Sequence, residues 1–147
     1  MSTMKGLIFM EGTEKDLAKY RIAKAKEDME TAKINLDNGK FTQSINRSYY
    51  AMFHITRALL SFDKFDSNKH SGIISYFNQH YAKTGKIEIK YSKMLREAEA
   101  IRNDSDYDDF FIATKEQAEN QIKNAEEYME RMEKCIKEKE LCVISNG

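Results

Sequence analysis

Arg47 and His54 stand seven positions apart. On a helix advancing about 100° per residue they fall within roughly 20° of each other. Histidine exchanges protons near neutral pH, and arginine offers a fixed fork of donors that fits phosphate oxygens. Such a pair suits a compact site for an anion and a proton, although it could equally be a buried polar pair that orders the fold. Other groupings point to no metal and no cofactor. His70 and His80 are ten positions apart, share no helical face and have no cysteine at ligand spacing. Asp104, Asp106 and Asp108 open like a calcium loop, but Asp109 replaces its glycine and Lys115 its closing glutamate. Arg102 and Asp106 read instead as an arginine–carboxylate pair.

The elements that must position Arg47 and His54 are helices. The segment Thr42–Ser61 carries the stripe Ile45, Tyr49, Met52, Thr56, Leu59, and further apolar residues, Phe53, Ile55 and Leu60, flank it. A helix so widely apolar is central. Tyr50, Ala51, Ala58 and Ser61 fall on the side of Arg47 and His54, where small residues suit close approach by a second subunit. Before it, Thr13 is an expected N-cap, Ala18, Ile22, Ala25, Met29, Ala32 and Leu36 form one seam, and Gly39 is placed for a left-handed stop. Shorter helices are expected over Lys69–Tyr81 and Tyr91–Arg102, the latter ended by a break at Asn103–Asp106. A last helix, Thr114–Glu140, repeats the seam with Ala118, Ile122, Ala125, Met129, Met132 and Ile136. The expectation is an all-α, up-down bundle of about five helices over 13–140, with frayed segments at 1–12 and 141–147.

Composition agrees. Among 147 residues there is no proline and there are six glycines, so long helices with few connections are favoured over an all-β fold. The 24 basic and 24 acidic side chains cancel, which disfavours coating of long nucleic acid by charge alone but leaves room for a local phosphate site. Cys135 and Cys142 have no metal spacing, the apolar patch Gly6–Met10 is too short for a signal segment, and no apolar run approaches a membrane span. A reduced cytoplasmic protein with no membrane partner is the expectation.

The run Asn46-Arg47-Ser48-Tyr49-Tyr50-Ala51-Met52-Phe53-His54 resembles the signature of the HEPN family, especially its bacterial and archaeal branch. His70-Ser71-Gly72, Phe77-Asn78, Arg102 and Asp106-Tyr107 match further motifs of that branch in order, and the resemblance covers Leu17 to Glu140. It implies a five-helix bundle, a homodimer through the helix carrying Arg47 and His54, and metal-independent RNA cleavage. In that reaction the ribose 2′-hydroxyl attacks; His54 would exchange the proton and Arg47 would meet the charge on the phosphorane. Asn46 and Ser48, on either side of the arginine, take supporting roles. Tyr50, His70 and Arg102 are further candidates for contacting RNA or a nucleotide. The resemblance also implies a nucleotidyltransferase antitoxin as partner, with Tyr50 a candidate for modification by it. A noncatalytic nucleotide- or RNA-binding module, or a structural partner subunit, is the alternative.

Overall fold

The computed structural model describes residues 13–146. Five α-helices run in order: α1 Thr13–Asp37, α2 Phe41–Ser61, α3 His70–Phe77, α4 Ile89–Tyr107 and α5 Lys115–Asn146. A π-helical turn, Asn78–Ala82, extends α3. No strand occurs among the described residues, so the all-helical bundle anticipated from composition is the observed architecture.

The three-residue link between α1 and α2 folds them into an antiparallel pair. Gly39 takes the left-handed conformation, φ 73°, and its N–H bonds the Leu36 carbonyl, the arrangement in which glycine carries no side-chain penalty. The seam of α1 is buried at Ala18, Ala25, Met29 and Ala32. Opposite it, α2 buries Ser44, Ala51 and Ala58 completely. Small residues on both helices bring the backbones near enough for the Ser44 hydroxyl to donate to the Ala32 carbonyl at 2.8 Å. Ala51 and Ala58 therefore serve close approach by α1 of the same chain, which corrects the expectation that they face a second subunit. Ser61 is corrected likewise: its hydroxyl accepts from Arg21 Nη1 at 2.9 Å.

The apolar stripe of α2 fills the core as its period requires. Ile45, Tyr49, Met52, Ile55 and Leu59 are buried, and the Thr56 hydroxyl meets that of buried Tyr128 on α5. All six residues of the anticipated α5 seam are buried too. The start of α5 is a reciprocal cap: Gln117 N–H donates to Thr114 Oγ1 at 3.1 Å, and Thr114 N–H to Gln117 Oε1 at 3.0 Å.

Two boundaries differ from the sequence expectation by more than two residues. Asn103–Asp106 is helical, since α4 continues to Tyr107, and α5 runs through Leu141 to Asn146. In the first case Arg102 pairs with Asp106 one turn on and Ser105 bonds the Arg102 carbonyl, so polar side chains brace the helix. In the second, no glycine or proline stands between Glu140 and Asn146 to stop propagation. The expected frayed segment 1–12 and the Thr13 cap side chain lie outside the described residues.

Candidate functional site

From Gln43 to Ser61, α2 leaves six residues incompletely buried: Gln43, Asn46, Arg47, Tyr50, His54 and Arg57. Their offsets of three, four, seven, eleven and fourteen from Gln43 confine them to one arc of about 100°. The central helix thus opens to the outside along a single strip that bears two arginines, a histidine, a tyrosine and two amides, and no carboxylate.

Arg47 and His54 do share a locus, and a third residue joins them there. Arg47 Nη1 donates to Asp28 Oδ1 at 3.1 Å, and His54 Nε2 lies 3.6 Å from Asp28 Oδ2. Asn46 Oδ1 accepts from Arg47 Nε at 3.1 Å and from Nη2 at 2.8 Å. The guanidinium also sits over the Tyr50 ring, 4.8 Å from its centroid, within cation–π range. Arg47 keeps 37% of its side-chain exposure whereas His54 keeps 14%. A shallow cleft of about 300 Å³ begins at Arg47 and is lined by Asn35, Thr42, Gln43, Asn46 and Asp106.

Burial holds the His54 imidazole neutral, pushing its pKa down to about 4, and Lys24, Arg57, Arg47 and Arg21 add to that depression. Burial also raises the Asp28 carboxyl, and Arg47 opposes it. Both shifts disfavour a fully charged His54–Asp28 pair, so the contact is better regarded as a neutral imidazole beside a carboxylate that Arg47 neutralises. Asp28 Oδ2, His54 Nδ1 and Arg102 Nε are buried without a hydrogen-bond partner, three of the four such side-chain atoms among the described residues. Unpaired buried polar atoms are costly, and three of them fall on this side of the bundle.

The neighbouring candidates form an aromatic wall. His70 stacks on Phe53 at 4.0 Å between ring centroids and meets Tyr50 edge-on at 5.7 Å. Its Nδ1 lies 2.9 Å from the Tyr49 hydroxyl. Burial raises the Tyr49 hydroxyl and lowers the His70 imidazole, so the bond joins a protonated phenol to a neutral imidazole. Arg102 Nη2 donates to the Tyr50 hydroxyl at 3.0 Å. Its Nε is 2.9 Å from Asp106 Oδ2, but the N–H is not aimed along that line, so the contact is an ion pair without a hydrogen bond.

Asn46, Arg47, Tyr50, His54, His70 and Arg102 are therefore gathered on one side of the bundle. Ser48 is not: it is fully buried and its hydroxyl donates to the Ser44 carbonyl at 2.8 Å. Sequence reasoning missed Asp28, whose signal was present. Arg21 and Asp28 are seven apart along the edge of the alanine seam, polar residues where an amphipathic helix turns inward. Both are buried. Arg57 was also missed; it grips Asp66 through Nε and Nη2 at 2.9–3.2 Å. A larger groove, about 650 Å³, lies across α1, α4 and α5, lined chiefly by glutamates and lysines. It holds no histidine and no buried unpartnered carboxylate oxygen, so it offers no proton-exchanging pair like that on the α2 strip.

Known proteins resemble this chain over most of its length. A HEPN domain model matches residues 18–135. The chain is 33% identical over 135 residues to a candidate toxin of Methanocaldococcus jannaschii, covering 92% of this chain and 98% of that protein. A second candidate toxin of the same organism is 29% identical over 116 residues, 78% of each chain. A UPF0332 protein of Thermotoga maritima is 30% identical over 122 residues, covering 83% of this chain and 92% of its own. No described helix is long and apolar enough to cross a membrane.

Proposed function

The chain belongs to the HEPN family, and on that premise we propose that it is a toxin-type, metal-independent endoribonuclease acting as a homodimer. One observation carries the reading: from Gln43 to Ser61 the central helix is open along one strip, and that strip bears Arg47 and His54 together. Two M. jannaschii relatives bear names that mark them as candidate toxins, which supports the toxin assignment. A nucleotidyltransferase antitoxin belongs to the same reading, with Tyr50 on the strip as its candidate target.

The chemistry follows from the groups present. Three of the five guanidinium N–H bonds of Arg47 are engaged, one by Asp28 and two by Asn46. One N–H on each terminal nitrogen remains for phosphate oxygens. His54 is neutral at physiological pH and is thus already in the proton-accepting form. A phosphate at Arg47 adds negative charge beside the imidazole, raises its basicity and suits it to take the 2′-hydroxyl proton. A second subunit approaching the strip would supply another His54 as the acid for the leaving 5′-oxygen.

The test is incubation of the purified chain with RNA in EDTA. Cleavage that leaves 2′,3′-cyclic phosphate ends, and fails on RNA carrying a 2′-deoxy nucleotide at the cut, is the expected result. Products with 5′-phosphate ends would overturn the mechanism. The burial of His54 favours a second reading, a noncatalytic RNA- or nucleotide-binding module. Tight binding with no cleavage, unaltered by His54→Ala, is the outcome that would select it.

A further inference from the structure

We infer that Asp28 of α1 is a positioning residue of this site, holding Arg47 through Nη1 and fixing the His54 imidazole with its proton on Nε2. The inference rests on the proposed ribonuclease reading for its effect on rate, but its structural content stands apart from it.

The carboxylate is buried, and its two oxygens have separate tasks. Oδ1 accepts from Arg47 Nη1, while Oδ2 has no hydrogen-bond partner and lies 3.6 Å from His54 Nε2. Closing that gap by about half an ångström forms a hydrogen bond. It would satisfy a buried oxygen that otherwise remains costly. The proton then resides on Nε2 and the lone pair on Nδ1, so on the ribonuclease reading RNA binding must uncover that buried nitrogen for it to take the 2′-hydroxyl proton. No other acceptor competes for the imidazole proton, because Nδ1 is buried without a partner. Charged groups facing the ring are Lys24 and Arg21 on α1 and Arg47 and Arg57 on α2, all cationic; Asp28 is the carboxylate within 4 Å. Together with Asn46, which grips the guanidinium from its other edge, Asp28 leaves Arg47 little freedom of orientation. A misplacement of about 1 Å in such a group can cost about 100-fold in rate.

The experiment uses the full chain with Asp28→Leu, Asp28→Asn and Asp28→Glu. Nitrogen-15 NMR of the three histidines at neutral pH, with His54 assigned through His54→Gln, reads the tautomer without any RNA. The expected wild-type result is one tautomer, protonated on Nε2. Asp28→Leu should give mixed tautomers, and Asp28→Glu should restore the single one. If Asp28→Leu fails to fold, Asp28→Asn replaces it, keeping the acceptor oxygen while losing the charge on Arg47; a single tautomer with faster exchange of the Arg47 Nε proton is then expected. On RNA, Asp28→Leu or Asp28→Asn should lower kcat about 10- to 100-fold with a smaller change in KM, and Asp28→Glu should recover part of it. A His54 proton on Nδ1 in wild type, or a tautomer unchanged by Asp28→Leu, overturns the inference; where only Asp28→Asn folds, unaltered exchange of the Arg47 Nε proton overturns it. Wild type that cleaves no RNA while its tautomer depends on Asp28 sinks the ribonuclease reading and leaves Asp28 in place.

Discussion

The Tyr50 hydroxyl accepts a hydrogen bond from Arg102 at 3.0 Å, tying α2 to α4 across 52 positions of sequence. The same guanidinium lies 5.3 Å from the Tyr50 ring centroid and 5.8 Å from that of Tyr49. Arg102 is therefore held by two hydrogen bonds, the second from Nη1 to Asn103 Oδ1 at 3.3 Å, by two aromatic faces and by the Asp106 carboxylate.

That arrangement predicts unequal and coupled mutational effects. Tyr50→Phe removes the acceptor but keeps the ring, and should cost about 0.5–1.5 kcal/mol of stability. Arg102→Ala removes the cation from both rings as well and should cost more. The double variant should cost little beyond Arg102→Ala alone, because the lost bond is shared. Denaturant melts of the three variants read this directly, and simple additivity would show that the bond contributes nothing.

Ala58 is predicted to be a packing position. It is fully buried beneath α1, so Ala58→Leu forces extra volume between two close helices. Overpacking of this kind costs about 1–3 kcal/mol. The loss should appear as lowered stability at unchanged oligomeric mass. Dissociation of a dimer with unchanged stability would return Ala58 to an intersubunit surface.

Stability should also fall in mild acid. His54 has a folded pKa of about 4, below the ordinary 6.5, so the unfolded chain binds a proton more readily in between. The stabilisation is full above pH 6.5, declines as pH falls, and levels off near pH 4. His70, lowered by burial and by Arg102 and Arg57, adds the same sign. Asp28 acts oppositely, since its raised pKa favours the folded state at low pH. A decline on the order of 1–3 kcal/mol is expected over this window, and His54→Gln should remove most of its slope. Unfolding curves from pH 7 to 4 that superimpose for the two proteins would contradict the buried neutral imidazole.

How much of this was legible beforehand depended on whether a signal was local. The seams of α1 and α5 and the stripe of α2 were readable because helical burial imposes its own period on the sequence. Arg47 and His54 were readable for the same reason, sharing one face of one helix. Asp28 was not, because its meaning lies in a contact with another helix and its own neighbours only mark it as an oddly placed acid. The facing of Ala51 and Ala58 was misjudged because small residues announce close approach without saying by which helix. Ser48 was misplaced by adjacency: one step along a helix rotates a side chain about 100°, here from the strip into the core.

The sharpest test compares Arg47→Lys with His54→Ala. Lysine keeps the positive charge but has a single nitrogen at its tip. It cannot bond Asn46 along one edge and Asp28 at Nη1 while still offering two parallel donors to phosphate. Arg47→Lys should therefore lose most RNA cleavage while leaving net charge unchanged. His54→Ala removes the proton-exchanging group, a change that typically costs about 100- to 10,000-fold in rate. It also deletes a buried nitrogen that has no partner, so its stability penalty should be small for so large a truncation. The two variants should thus retain fold and mass while losing activity, and neither loss should be reversed by adding a divalent metal. If instead both variants melt far below wild type, and wild type itself cleaves no RNA, then Arg47, His54 and Asp28 form a structural polar cluster. Melting temperature, solution mass and RNA cleavage measured on the same three proteins decide between the two outcomes.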